Sequence, residues 1–139
     1  KFLGTIRGMR KGHLKRRIDS AIERVKLGDY RKSFISKLSK GYRQRTGLAQ
    51  AILHEPEVLI LDEPTSNLDL NSAKDFINSL LVIKKEIGKT IIIITHDLLS
   101  CKFSDEIAVL RDGSIESFGS YQDVLKTNQW FKNSLDKNG

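Results

Sequence analysis

The run Val58-Leu59-Ile60-Leu61 ends in two adjacent carboxylates, Asp62 and Glu63. Four consecutive apolar residues read as a strand buried on both faces. Carboxylates at the carboxyl end of such a strand stand where open parallel sheets bind their ligands. An acid pair there can divide its labour, Asp62 holding Mg²⁺ through water while Glu63 polarises an attacking water. The competing reading is an acid-rich helix N-terminus, which the macrodipole favours. Pro64 breaks the chain at once and the next helix starts only near Ser72, which counts against it.

Ile91-Ile92-Ile93-Ile94-Thr95 repeats the arrangement and ends in His96-Asp97. His13 and His54 read as structural. His96 leaves a strand at the same sheet edge, where it can touch a phosphate oxygen or orient the water that Glu63 activates. The third group is Leu38-Ser39-Lys40-Gly41-Tyr42-Arg43-Gln44-Arg45, a Ser-X-Gly turn opening a helix. Ser39 can cap that helix, Gly41 permits close backbone approach, and the free N–H groups make an anion site. A capped helix without a ligand is the commoner use of such a turn.

The elements that must carry these residues follow from apolar spacing. Residues 1–37 read as helical and polar, punctuated by Gly4, Gly8, Gly12 and Gly28. A helix over residues 13–27 lines up Leu14, Ile18, Ala21, Ile22 and Val25, with Lys15, Arg16, Arg24 and Lys26 opposite. A second helix over residues 41–53 stops at Glu55-Pro56, because the residue before proline avoids helical backbone. After Pro64-Thr65-Ser66-Asn67 a third helix covers residues 72–87, with Ala73, Phe76, Ile77, Leu80 and Leu81 as its buried stripe. Asn71 or Ser72 caps its start and Gly88 stops it. Strands are expected at 58–61, 90–95, 106–110 and 114–118, the last two joined by the hairpin signal Asp112-Gly113. A last helix starts near Ser120. The pattern predicts an α/β class: a parallel sheet flanked by helices, with right-handed crossovers.

A length of 139 residues allows one compact domain at most. With 39% apolar and 29% charged residues the chain can build a core. Its longest apolar runs fall far short of the ~20 residues that span a membrane, and no secretory start is present. The single cysteine, Cys101, cannot form an internal disulfide. These features predict a soluble, cytoplasmic protein. The net charge of +7 is uneven: residues 1–50 hold 15 Lys/Arg against 3 Asp/Glu, and residues 51–139 hold 9 against 14. A basic half means a solvated face, a nucleic-acid patch or a surface near anionic lipid. The outward placement of these charges on the first helix favours the solvated face.

Together the motifs resemble the ATP-binding cassette (ABC) ATPase family. Leu38-Ser39-Lys40-Gly41-Tyr42 resembles its signature motif, Val58 to Glu63 its Walker B strand with the catalytic glutamate, Ser66-Asn67-Leu68-Asp69 its D-loop, and His96 its switch histidine. The resemblance covers essentially the whole chain. It implies a P-loop NTPase-like ABC domain in part, with residues 1–50 as the helical subdomain ending in the signature and 51–139 as the C-terminal part of the ATPase core. Two features depart from the pattern. Lys40 and Tyr42 replace the usual Gly and Gln, a form that resembles subunits paired with exporter-type permeases. The phosphate loop Gly-x-x-x-x-Gly-Lys-Ser/Thr is absent from these residues. Gly88-Lys89-Thr90 has Ile83 where the first glycine belongs and leads from helix to strand, so it reads as a helix stop and a solvated lysine.

What the resemblance implies is ATP with Mg²⁺ as cofactors and Glu63 and His96 as catalytic residues. It assigns the Mg²⁺ contact to Asp62. Ser39, Lys40, Gly41, Tyr42 and Asp69 would face the ATP of a second ABC subunit in a head-to-tail dimer. A transmembrane permease is the further partner, with the chain peripheral on the cytoplasmic face of the membrane and no nucleic acid expected. The resemblance thus points to an exporter's ATPase. The rivals are a soluble ABC ATPase acting on ribosomes or nucleic acid, and an inactive truncated remnant.

Overall fold

In the computed structural model, residues 11–98 and 100–138 are described. The expectation for residues 1–10 lies outside them. The chain falls into two compact units, one reaching Ile94 and the other beginning at Thr95.

The first unit opens with α1 (Lys11–Arg24), followed by short 3₁₀ turns at Gly28–Tyr30 and Ile35–Lys37. The helix expected over residues 13–27 ends instead at Arg24, since Lys26 takes positive φ. α2 (Lys40–Ile52), β1 (Val58–Asp62), α3 (Leu70–Ile87) and β2 (Thr90–Ile94) follow. The core joins Leu14 and Ala21 of α1, and Val25 just beyond it, to Leu48 and Ile52 of α2, Leu59 of β1, and Phe76, Ile77, Leu80 and Ile83 of α3. Ile18 and Ile22 pack at its edge, so the apolar spacing of α1 marks the right face. Each such side chain contributes roughly 1.5–3 kcal/mol by leaving water. Gly88 ends α3 at φ +63, its N–H donating to the Lys84 carbonyl, the left-handed stop that glycine suits.

β1 and β2 pair in parallel, from Val58 opposite Thr90 to Asp62 opposite Ile94. Burial on both faces is corrected. Leu59 is buried, whereas Ile60 is 62% and Ile94 53% exposed, with Val58 and Ile92 also exposed. The helices cover one face of the two-stranded sheet only. Lys89, expected to be solvated, forms an ion pair with Glu57 at 2.5 Å.

In the second unit β3 (Ile107–Arg111) and β4 (Ser114–Gly119) form an antiparallel hairpin. Asp112 and Gly113 both take positive φ (+49 and +79), as the two-residue primed turn requires. The hairpin expected from Asp112-Gly113 is thus the pairing observed. Two helices follow, α4 (Tyr121–Thr127) and α5 (Gln129–Asn138). Ser120 opens α4 with a capping box on Asp123. Ile107, Val109, Val124 and Phe131 form this unit's core with Leu98. Among the described residues no helix is long and apolar enough to cross a membrane.

Candidate functional site

β1 delivers its two acids as the sequence suggests. Asp62 is its last, exposed residue, and Glu63 follows half-buried. The Glu63 backbone lies at φ +44, a left-handed conformation that costs an ordinary residue about 1–2 kcal/mol. It is held there by its N–H, which donates to the Ile94 carbonyl at 2.8 Å. Ser66 N–H then donates back to the Glu63 carbonyl at 3.1 Å, closing the turn around Pro64 and Thr65, both buried. Such backbone outliers gather at working sites.

The Ser39 turn and the Asp69 turn form a second group. Ser39 caps α2, its hydroxyl accepting from the Tyr42 N–H at 3.4 Å. Asp69 caps α3, its Oδ1 accepting from the N–H groups of Asn71 and Ser72 at 3.1 and 3.0 Å. That corrects the expected cap at Asn71 or Ser72 and starts the helix at Leu70. The hydrogen bonds from Ser72 hold the Asp69 carboxyl below its ordinary range. The two caps are neighbours: a Cβ built on Gly41 would stand 3.3 Å from the Ser72 hydroxyl. Gly41 thus allows a close approach, and the partner here is the first turn of α3.

Several residues that support this group carry no motif. Arg45 is 7% exposed. It donates to the Val25 carbonyl at 3.1 Å and faces Asp75 of α3 at 3.4 Å, so it ties α2 to both neighbouring helices. Arg43 donates to the Leu38 carbonyl at 2.6 Å. Tyr42, expected among the nucleotide-facing residues, lays its ring 4.0 Å from that of Tyr30. The Arg45 links and the Tyr30–Tyr42 contact are not readable from spacing, since they join different elements. The Asp69 cap was readable: Asp three residues before Ser72 is an ordinary N-cap signal. Lys40 is exposed on the first turn of α2.

His96 lies in the second unit, exposed, two residues beyond β2. Beside it the Asp97 N–H donates to Thr95 Oγ1 at 3.0 Å. Part of the basic excess is already matched, since Arg17 pairs with Glu55, Arg24 with Glu86 and Arg31 with Asp19.

A family model described as "ABC transporter" matches residues 3–66. The chain is 37% identical to the methionine import ATP-binding protein MetN 4 of Oceanobacillus iheyensis, over 92% of this chain and 39% of that protein. It is 34% identical to the energy-coupling factor transporter ATP-binding protein EcfA1 of Streptococcus pneumoniae, over 93% of this chain and 47% of that protein. The chain belongs to the ABC ATPase family. The solved structure of CbiO1 from Clostridium perfringens, part of the ABC transporter complex cbiONQ, superposes on this ABC chain with a TM-score of 0.81 at 29% identity. That match covers 90% of this chain and 50% of CbiO1. A bacterial Atm1-family ABC exporter with ATP bound gives 0.76 at 25% identity, over 94% of this chain and 24% of the exporter chain. The fold is therefore the P-loop NTPase-like α/β fold of ABC ATPases, in part. The chain spans less than half the length of both curated relatives named here.

Proposed function

We propose that this chain supplies the signature, Walker B and D-loop parts of an ABC transporter's ATPase, coupling ATP hydrolysis to permease movement. Residues 1–50 act in this reading as the helical subdomain and 51–139 as part of the ATPase core. The observation that carries it is Glu63, held at φ +44 beside Asp62 at the carboxyl end of β1.

The residues present suit a magnesium nucleotide. Mg²⁺ is usually held by one or two carboxylates together with substrate phosphates. Asp62 and Glu63 are such a pair, and among the described residues no group of three or more His, Cys, Asp or Glu forms a self-sufficient metal cage. When bound, Mg²⁺ neutralises charge on the phosphate oxygens. Glu63 accepts the proton of the attacking water as general base, and Asp62 holds the ion through water. Ser39, Lys40 and the N–H groups opening α2 face the ATP of the second subunit, where a helix N-terminus favours anions. Tyr42 belongs to that signature turn, Gly41 keeps it free of a side chain, and Asp69 links the two sites across the dimer. For His96 we propose the phosphate contact of the switch histidine.

The phosphate loop is supplied by residues other than these 139, and a permease anchors the assembly at the cytoplasmic face of the membrane. Relatives named for import stand beside an exporter structure. Export is proposed here on the Ser39-Lys40-Gly41-Tyr42 form, and nucleotide-driven uptake of substrate into inverted vesicles, where the cytoplasmic face is outward, tests the direction.

Glu63→Gln preserves shape and hydrogen bonding but removes basicity. In the assembled ATPase, hydrolysis is expected to fall by roughly 10²–10⁴, with ATP binding retained and the ATP-bound dimer accumulating. Hydrolysis at the parental rate would remove Glu63 from the role of base.

A further inference from the structure

Tyr42 is the residue whose backbone makes the signature cap: its N–H donates to Ser39 Oγ, and its carbonyl accepts from Thr46 Oγ1 at 2.8 Å. Its ring lies against Tyr30, with centroids 4.0 Å apart and planes tilted by 36°. The Arg45 guanidinium stands 6.0 Å from the same ring while bonded to the Val25 carbonyl. Tyr30 in turn is fixed from below, since its N–H donates to the carbonyl of Leu27, a core residue. The phenol of Tyr42 therefore spends its contacts inside its own subunit. Where the family pattern has a glutamine, this chain has one half of an aromatic pair.

We propose that Tyr30 is a positioning residue for the signature turn, holding Tyr42 and through it the start of α2 in the orientation that the second subunit's ATP requires. This rests on the proposed role of Ser39 and the α2 N-terminus. Tilted aromatic pairs favour one another beyond their buried area, by an amount that corresponds to about a 3- to 10-fold effect on an equilibrium or a rate. The pair also has its own spectroscopic mark. The hydroxyl of Tyr42, close by, pushes the Tyr30 phenol above its ordinary value.

The first measurement titrates ring-labelled tyrosines by NMR in the complete ATPase subunit that carries these residues. Tyr42→Phe is expected to return Tyr30 to ordinary tyrosine titration; an unchanged Tyr30 overturns the pair itself. The second uses the assembled ATPase. Tyr30→Ala is expected to lower kcat about 3- to 10-fold with the KM for ATP unchanged, and Tyr30→Phe, which keeps the ring, to restore it. Tyr30→Leu, which fills the space without a π-face, should behave like the alanine variant. Adding Tyr42→Ala to Tyr30→Ala should bring no further loss. Parental kcat in Tyr30→Ala, or a phenylalanine variant as poor as alanine, overturns the proposal. Ser39→Arg keeps the two failures apart: if it leaves hydrolysis unaffected the signature reading falls, and if it abolishes hydrolysis while Tyr30→Ala does nothing, only the positioning role falls.

Discussion

Asp69 shows how a motif residue can hold a second, purely local task. Its carboxylate accepts from two N–H groups at the start of α3, and these bonds, with the Ser72 hydroxyl, depress its pKa. A group whose folded pKa is depressed adds stability above its ordinary value and loses it as the pH falls through the folded one. Asp69→Ala is expected to lower stability, as loss of an N-cap does. The deficit, read by urea denaturation at neutral pH, should shrink below the ordinary carboxylate range. A deficit independent of pH would show that the carboxylate is not the cap. Gly41 is constrained by the same neighbourhood. Gly41→Asp sets a charged side chain against Ser72 and into the turn proposed to face the anion. Dimerisation and turnover should fail with little change in the nucleotide affinity of the isolated subunit; a large loss of monomer affinity would place Gly41 in its own subunit's pocket.

Among elements, the legible ones were those whose signal is periodic or chemical. The α3 stripe is written in Phe76, Ile77 and Leu80, and the hairpin in Asp112-Gly113. The cover on β1 and β2 was not legible, because an apolar run records what a strand can bury and leaves open what lies over it. α5 was missed for the opposite reason: with Phe131 and Leu135 as its inward residues, it has too little periodicity to stand out. Its anchor is Asn128, which is buried. Asn128 donates through Nδ2 to Glu116 and Ser117 at 2.9 Å each, and accepts from the Phe131 N–H at 2.8 Å. Asn128→Ala leaves a buried N–H and a carboxylate without these bonds, so a loss of about 1–3 kcal/mol is expected. Loss of helical circular dichroism in a less cooperative melt would register it; an unshifted midpoint would mean that water replaces the amide.

For the whole molecule, the site was more legible than the support beneath it. Adjacent motif residues announce chemistry, whereas Arg45 with Asp75 and Tyr30 with Tyr42 join positions distant in sequence. The same limit governs solubility. Val58, Ile60, Ile92 and Ile94 share one uncovered face of the parallel sheet, and the second unit exposes Leu110, Ile115 and Phe118 on its hairpin. Each uncovered isoleucine forgoes about half of the roughly 1.5–3 kcal/mol that full burial contributes, against ~5–15 kcal/mol for a whole domain, and a bare apolar sheet invites association. Near a triphosphate, Asp62 and Glu63 repel until Mg²⁺ intervenes, and no phosphate loop lies within residues 1–139 to counter them. The 139-residue chain by itself is therefore expected to aggregate or melt without a sharp transition, and to bind ATP more weakly than micromolar. Ile60→Thr with Ile94→Thr keeps β-branched side chains on the strands while wetting that face. Light scattering should fall in this variant and helical content should persist. A monomeric, sharply melting parent chain with micromolar ATP affinity would mean that the exposed face costs far less than its area implies.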